Sequence, residues 1–148
     1  MGVSYDVFTN AFLSKVTDYN FLSFDRDNRT EIVDEYMKRA FTQFNKICKY
    51  DLFNRDDMLR ELSIDIAEED IDEIADIVSE GMLVQWMKPY VYKAENLENI
   101  LNTKDFTSYS PAELLLRVSD TYKELKKSFT NMMREYSYNH GDLTNLHI

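Results

Sequence analysis

The acidic residues between positions 65 and 80 are the ones whose type and spacing could do chemistry. Glu69, Glu73, Asp76 and Glu80 fall at i, i+4, i+7 and i+11, which places their carboxylates along one face of a helix. Carboxylates could bind a cation, but a calcium loop needs a central glycine and a di-iron bundle needs Glu-x-x-His pairs. The segment has neither pattern, so we favour a solvated or partner-facing surface over a metal site and expect no cofactor.

The same segment lies in the block that carries the net charge of the chain. Acids and bases number 7 and 7 over residues 1–50, 12 and 2 over residues 51–80, and 8 and 8 over residues 81–148. The formal charge of −10 therefore comes from the middle block. Like charges on neighbouring turns repel by about 0.7 kcal/mol per pair in water, so such a face must be hydrated or opposed by cations. We predict an acidic interaction face made of Asp65, Glu68, Glu69, Asp72, Glu73, Asp76 and Glu80.

Few residues of this sequence are candidates for catalysis. It contains no Gly-rich phosphate loop, no Gly-x-Ser-x-Gly motif and no Cys/His cluster. His140 near Asp142 could form an acid–base pair, but a histidine at a helix end more simply binds the last carbonyl groups. The single cysteine, Cys48, ends an apolar helical face and is expected to pack as a small hydrophobe rather than to react. We predict that the protein is not an enzyme.

Cationic residues recur along the last predicted helix: Arg117, Lys123, Lys126, Lys127 and Arg134. Asp120 and Glu124 lie among them, which weakens the case for direct binding to nucleic acid. Pairing with an acidic band, in the same chain or in a neighbouring subunit, is the explanation we favour.

The elements that must position these residues are helices. Glycine numbers 3 and proline 2, which leaves few positions for tight turns, and 44% of the residues are hydrophobic. We predict an all-α fold: a single helical domain over residues 1–148, built as a bundle of about four to five helices with a long C-terminal helix. No apolar run is long enough to span a bilayer, so no membrane contact is expected.

Apolar periodicity and capping residues predict where the first helices lie. The first is expected over Ser4–Val16, and residues 18–28 form a loop with aromatic side chains. The second runs from Asn28 or Thr30 to Ile47. Residues 48–66 are the least clear, and the alternation of Leu62, Ile64 and Ile66 allows a short extended piece.

The third helix is expected to begin near Ala67 and to change character at Gly81. Acids cover most of its surface before this glycine, whereas the run from Met82 to Met87 is apolar nearly all round, as in a buried helix. Pro89 removes a backbone donor, so it predicts a kink or a break in the helix.

The fourth helix has a clear start and a regular apolar seam. Ser110, Pro111 and Glu113 form a capping box with proline at the first helical position. The apolar positions then step by three and four residues for three heptads: Leu115, Val118, Tyr122, Leu125, Phe129, Met132 and Tyr136. We expect this seam to pack inside the domain, with a coiled-coil interface as the alternative. His140 and Gly141 end the helix.

The C-terminal tail, residues 141–148, alternates apolar and polar residues and is predicted to be an extended interaction segment. A lone domain seldom leaves such apolar residues at its end uncovered, so other subunits or the chain's own helices must cover them. The predicted interface residues are Tyr136, Tyr138, His140, Leu143, Leu146 and Ile148.

Three segments of the second half are similar to one family of proteins. They are Glu80–Tyr90 (EGMLVQWMKPY), Leu101–Leu115 (LNTKDFTSYSPAELL) and Asn131–Leu146 (NMMREYSYNHGDLTNL). In them the chain resembles small helical head–tail adaptor, or head-completion, proteins encoded by tailed phages and prophages of Firmicutes. The similarity covers roughly residues 80–148.

This resemblance implies a role in the neck of a virion assembled in the bacterial cytoplasm. The expected arrangement is a ring of about a dozen copies that joins the portal protein to tail-side connector proteins, with DNA passing through unbound. Adaptors of this kind dock by terminal segments and present acids to the channel, which would give roles to residues 141–148 and to the acidic face. The alternative is an acidic inhibitor or regulator whose Asp51–Glu80 face imitates DNA phosphates.

Overall fold

The computed structural model describes residues 2–17, 29–101 and 111–140. Within these ranges lie four helices and three strands of two residues: β1 (Val3–Ser4), α1 (Asp6–Val16), α2 (Arg29–Phe44), β2 (Arg55–Asp56), β3 (Glu61–Leu62), α3 (Glu68–Leu101) and α4 (Pro111–His140). The predicted all-α bundle with a long last helix is confirmed. The loop at 18–28, the capping residue Ser110 and the tail at 141–148 lie outside the described residues.

Helix α3 is the central element, since it packs against α1, α2 and α4. Residues 81–87 are all buried, as the apolar run after Gly81 predicts. Gly81 itself permits the close approach: a Cβ there would lie 2.7 Å from the Cζ atom of Phe129 on α4 and 2.9 Å from the Cβ of Ala40 on α2. The change of character at this glycine therefore marks the point where three helices meet.

Helix α3 does not break at Pro89, although the sequence allowed a break there. The helix is continuous from Glu68 to Leu101, with Pro89 inside it. Proline removes a single N–H donor, while apolar packing continues on both sides of it. Met87 is buried before it, and Tyr90 and Val91 pack against the core after it. This packing holds the helical backbone through the proline.

The heptad seam of α4 is internal, as expected. Val118, Leu125, Phe129 and Tyr136 are buried, and Tyr122 and Met132 are partly buried against the same core. Because α3 is the main contact of α4, the seam closes the bundle rather than leaving a free coiled-coil surface. Among the described residues, no helix is both long enough and apolar enough to cross a membrane.

The three short strands form a small antiparallel sheet, of which the sequence predicted only a possible short extended piece within residues 48–66. The central strand β3 pairs with β1 (Val3 opposite Leu62) and with β2 (Arg55 opposite Leu62). The strand ends at Leu62, so the extended piece is shorter than the alternation to Ile66 allowed. Helix α1 begins at Asp6, two residues later than predicted, because Ser4 pairs with Glu61 in the sheet. Helix α2 ends at Phe44, three residues earlier than predicted.

Candidate interaction surface

The predicted acidic face is on the outer side of the first part of α3 and of the residues before it. Six of its members are exposed and Glu80 is half-buried; the exposed ones are Asp65, Glu68, Glu69, Asp72, Glu73 and Asp76. The opposite side of this part of the helix carries Ile74 and Val78, which are fully buried. The helical period thus keeps the acids in solvent while the apolar side holds the helix in place.

The later acids of this face are bound by other helices. Lys15 Nζ on α1 lies 2.7 Å from an oxygen of Asp76 and 3.4 Å from an oxygen of Glu80. The hydroxyl of Ser128 on α4 donates a hydrogen bond of 2.5 Å to the other oxygen of Glu80. On the same face, Glu73 Oε1 lies 2.7 Å from Nε2 of His140. These contacts join the outer side of α3 to α1 and to α4.

Three exposed acids of the first two turns lack such partners within the described residues. Glu68, Glu69 and Asp72 are exposed, and the described ion pairs do not include them. Like charges at this spacing repel one another, so their position is maintained by the packing of α3 and by solvent. We call these three residues the α3 acidic surface. It is the part of the predicted face that remains available to a partner.

Asp70 is an acid of this segment that the predicted face does not include. It is buried, and its Oδ2 accepts a hydrogen bond of 2.7 Å from the hydroxyl of Tyr50 and lies 3.5 Å from Lys49 Nζ. The Tyr50 hydrogen bond, followed by the Lys49 charge, holds the pKa of this carboxyl below its usual range. Asp70 lies four residues before the buried Ile74 and therefore on the same side of α3, and this spacing is the sequence signal from which its burial could have been predicted.

Tyr136, predicted as an interface residue, lies in the core of its own chain with 1% of its surface exposed. Its hydroxyl accepts a hydrogen bond of 3.2 Å from the backbone N–H of Lys49, and its ring meets Phe44 edge-on with centroids 4.9 Å apart. Burial raises the pKa of this phenol. Tyr136 therefore fixes the end of α4 to α2 and to the segment after it.

The last turns of α4 place the other predicted interface residues. Tyr138 is 77% exposed. The ring of His140 stacks on Tyr136, with centroids 4.4 Å apart, while its Nε2 faces Glu73. In the described contacts His140 therefore binds a carboxylate of α3, which neither the acid–base pair nor the helix cap had anticipated. Asp142 and the predicted tail residues Leu143, Leu146 and Ile148 lie outside the described residues.

Cys48 is half-buried, in partial agreement with its predicted role as a small hydrophobe. Its sulfur lies 3.8 Å from the hydroxyl of Tyr136, and burial raises the pKa of the thiol. A raised pKa lowers the fraction of reactive thiolate at neutral pH. The environment of this cysteine favours packing over nucleophilic chemistry.

A second polar cluster, around Arg60, was not predicted. The guanidinium donates hydrogen bonds of 2.7 and 2.8 Å to Asp34 on α2 and one of 3.0 Å to Asp6 on α1. These residues line a cavity of about 210 Å³ between the two helices, together with Thr9 and Leu13. Arg60 has a φ of 52°, a left-handed conformation in the loop between β2 and β3. The cluster ties the hairpin to both helices.

The described residues include no group of three or more His, Cys, Asp or Glu side chains that could hold a metal ion.

Comparison with protein-family models, with curated proteins and with solved structures gives no match for this chain. The structure thus brings together two sets of residues that the sequence predicted separately: the acidic face of α3 and the end of α4.

Proposed function

We propose that this protein is a structural adaptor in the neck of a tailed phage, where its copies form a ring between portal and tail around the DNA channel. It acts through contacts between subunits and with neighbouring virion proteins, and it performs no catalysis. The sequence resemblance of residues 80–148 to head–tail adaptors supports this assignment.

The observation that carries the proposal is the contact between His140 and Glu73, 2.7 Å apart. It brings the end of α4, with the exposed ring of Tyr138, to the same end of the bundle as the α3 acidic surface. The chain continues from this end into residues 141–148. We expect this segment to reach a neighbouring subunit, as adaptor termini do in the family that the sequence resembles.

An assembly experiment tests the proposal directly. The full chain and a chain that ends after His140 are each examined by native mass spectrometry and electron microscopy, alone and with portal protein. We expect the full chain to form closed rings of about a dozen copies and the shortened chain to keep its helical content but to lose the rings. A full chain that remains monomeric with portal protein present, or a shortened chain that forms the same rings, would contradict the proposal.

The second candidate function is an acidic inhibitor or regulator that occupies the basic groove of a DNA-binding protein. The exposed carboxylates of Glu68, Glu69 and Asp72 favour it, because they have no ion partner among the described residues. This function requires a monomer or a dimer that binds a basic nuclease or repressor in a salt-sensitive manner. Sedimentation with such a partner at low and at high salt distinguishes it from the adaptor.

A further inference from the structure

The outer side of α4 carries a stripe of exposed residues that the contacts described above do not use. Seven exposed positions recur at steps of four and three along about six turns, which keeps them within a narrow arc of the helix. They are Leu116, Asp120, Lys123, Lys127, Thr130, Arg134 and Tyr138. We call the three cations Lys123, Lys127 and Arg134 the α4 basic stripe.

This stripe and the α3 acidic surface are complementary in charge. Residues 123–135 carry 4 cations and 2 acids, whereas residues 65–80 carry 8 acids and no cation. Within the described part of the chain, the ion pairs include neither the three cations of the stripe nor Glu68, Glu69 and Asp72. At a rise of 1.5 Å per residue, the basic stripe is about 17 Å long and the α3 acidic surface, from Glu68 to Asp72, extends over about 6 Å. The acidic surface therefore fits within the length of the stripe.

The two surfaces cannot meet within one chain. The seam of α4, which includes Val118, Leu125 and Phe129, faces α3, and the basic stripe lies on the opposite side of the same helix. Glu68, Glu69 and Asp72 are exposed on the outer side of α3, away from the buried Ile74 and Val78. Contact between the stripe and the acidic surface therefore requires two copies of the chain.

We infer that the α3 acidic surface of one copy binds the α4 basic stripe of a second copy. The inference rests on the proposed function, and it replaces the channel wall that the family resemblance implies for these three acids with a contact between subunits. When two copies are joined by this contact, one still has a free acidic surface and the other a free basic stripe. The contact therefore repeats head to tail and makes a ring where the rotation closes. The exposed side chains of Leu116 and Tyr138, which lie on the same side of α4 beyond the two ends of the basic stripe, add apolar contact area.

Nucleic acid is a weaker occupant for the stripe than a second copy. Asp120 lies on the same side of α4 just before Lys123, and Glu124 and Glu135 lie beside the basic stripe, so phosphates following the helix would meet carboxylates. A protein surface with carboxylates on a short helical segment fits the same cations without a continuous track of negative charge.

Charge reversal tests the contact in the full chain by sedimentation velocity. One variant carries Lys123→Glu, Lys127→Glu and Arg134→Glu; the other carries Glu68→Lys, Glu69→Lys and Asp72→Lys. We expect the wild type to self-associate and each variant alone to associate about a hundredfold more weakly, since each reversal turns an attraction into a repulsion. An equimolar mixture of the two variants is expected to regain association, because each then meets the opposite charge.

The control variant reverses three exposed cations away from α4: Arg39→Glu, Lys46→Glu and Lys88→Glu. It changes the net charge as much as the stripe variant and is expected to associate like the wild type. Circular dichroism verifies that every variant is folded. A folded pair of variants that does not associate on mixing would overturn the inference, and so would association that neither reversal changes. Retention of duplex DNA that is lost in the stripe variant, with self-association unchanged, would overturn it in favour of nucleic acid.

The outcomes separate this inference from the proposed function. Rings of about a dozen copies that form equally well in both reversed variants would support the adaptor and overturn the contact. Association that follows the charges as expected but yields only dimers or open filaments would support the contact and contradict the neck ring. A wild-type chain that stays monomeric on its own overturns the contact.

Discussion

Replacing Gly81 by alanine tests the packing of three helices at the centre of the bundle. A Cβ at this position would lie 2.7 Å from the Cζ of Phe129 and 2.9 Å from the Cβ of Ala40. Both neighbours are buried, with 4% and 1% of their surfaces exposed. Neither can move without displacing other core side chains, so we expect Gly81→Ala to lower the free energy of unfolding.

The expected magnitude is the difference between two opposing effects. Alanine is favoured over glycine inside a helix by about 0.8–1.0 kcal/mol. Adding a methyl group to a filled core destabilises by about 1–3 kcal/mol, and the upper half of this range applies because the Cβ of Ala40 is fixed to the backbone of α2. We expect a net loss of about 1–2 kcal/mol in the free energy of unfolding.

Urea unfolding followed by far-ultraviolet circular dichroism measures this loss, and a double-mutant cycle identifies its cause. Phe129→Leu removes the ring atoms nearest to position 81. In the double variant Gly81→Ala/Phe129→Leu, the methyl group enters the space that the ring has left. We expect the double variant to be more stable than the sum of the single losses predicts, by about 1 kcal/mol.

Two results would refute this reasoning. A Gly81→Ala chain that is more stable than the wild type by about 1 kcal/mol would show the gain in helix propensity alone, without a clash. An additive cycle would show that the ring of Phe129 is not the neighbour that the new methyl group meets. Either result would place α4 further from α3 than the structure does.

Three further predictions concern the polar clusters. Arg60→Ala is expected to lower the free energy of unfolding, measured in urea, by about 2 kcal/mol, because it leaves a buried carboxylate without its cation. The exposed ion pair of Arg39 should contribute under about 0.5 kcal/mol, and equal losses for the two pairs would contradict the prediction. Tyr50 lowers the pKa of Asp70. The stabilisation that this hydrogen bond gives the folded state is therefore present above the unfolded pKa of about 3.9 and is lost as the pH falls. The difference in stability between wild type and Tyr50→Phe should shrink below about pH 4, and a constant difference would disprove the prediction. Burial raises the pKa of Tyr136, so the folded state loses stability as the pH rises beyond about 10. Because this buried phenol ionises late, ultraviolet titration should show the same number of early-ionising phenols in folded Tyr136→Phe as in the wild type.

The helical part of the fold could be predicted because its signal is local. The seam of α4 repeats every three and four residues, and the structure buries Val118, Leu125, Phe129 and Tyr136 as that period requires. The short strands gave little signal, since two residues cannot show alternation. Pro89 predicted a kink or a break, and the break is absent because packing against the core continues on both sides of the proline.

The candidate site could be predicted only as separate parts. The exposed acids followed from charge and helical spacing, but the pairing of Glu73 with His140 joins residues 67 positions apart. The same holds for Arg60 and Asp34, which are 26 positions apart and meet only once the hairpin has formed. Contacts at such separations depend on how the helices pack, and no local pattern in the sequence encodes them.

The central position of α3 has a consequence for the order in which the chain can fold during synthesis. Among the described residues, α1 and α2 contact each other far less than each contacts α3, and β1 needs β3 to complete its pairing. Helices α1 and α2 are synthesised before α3 and therefore at first lack the surface on which their apolar sides are buried. We expect the nascent chain to stay uncollapsed, and to need protection from aggregation, until the ribosome has released the segment from Glu68 to Met87.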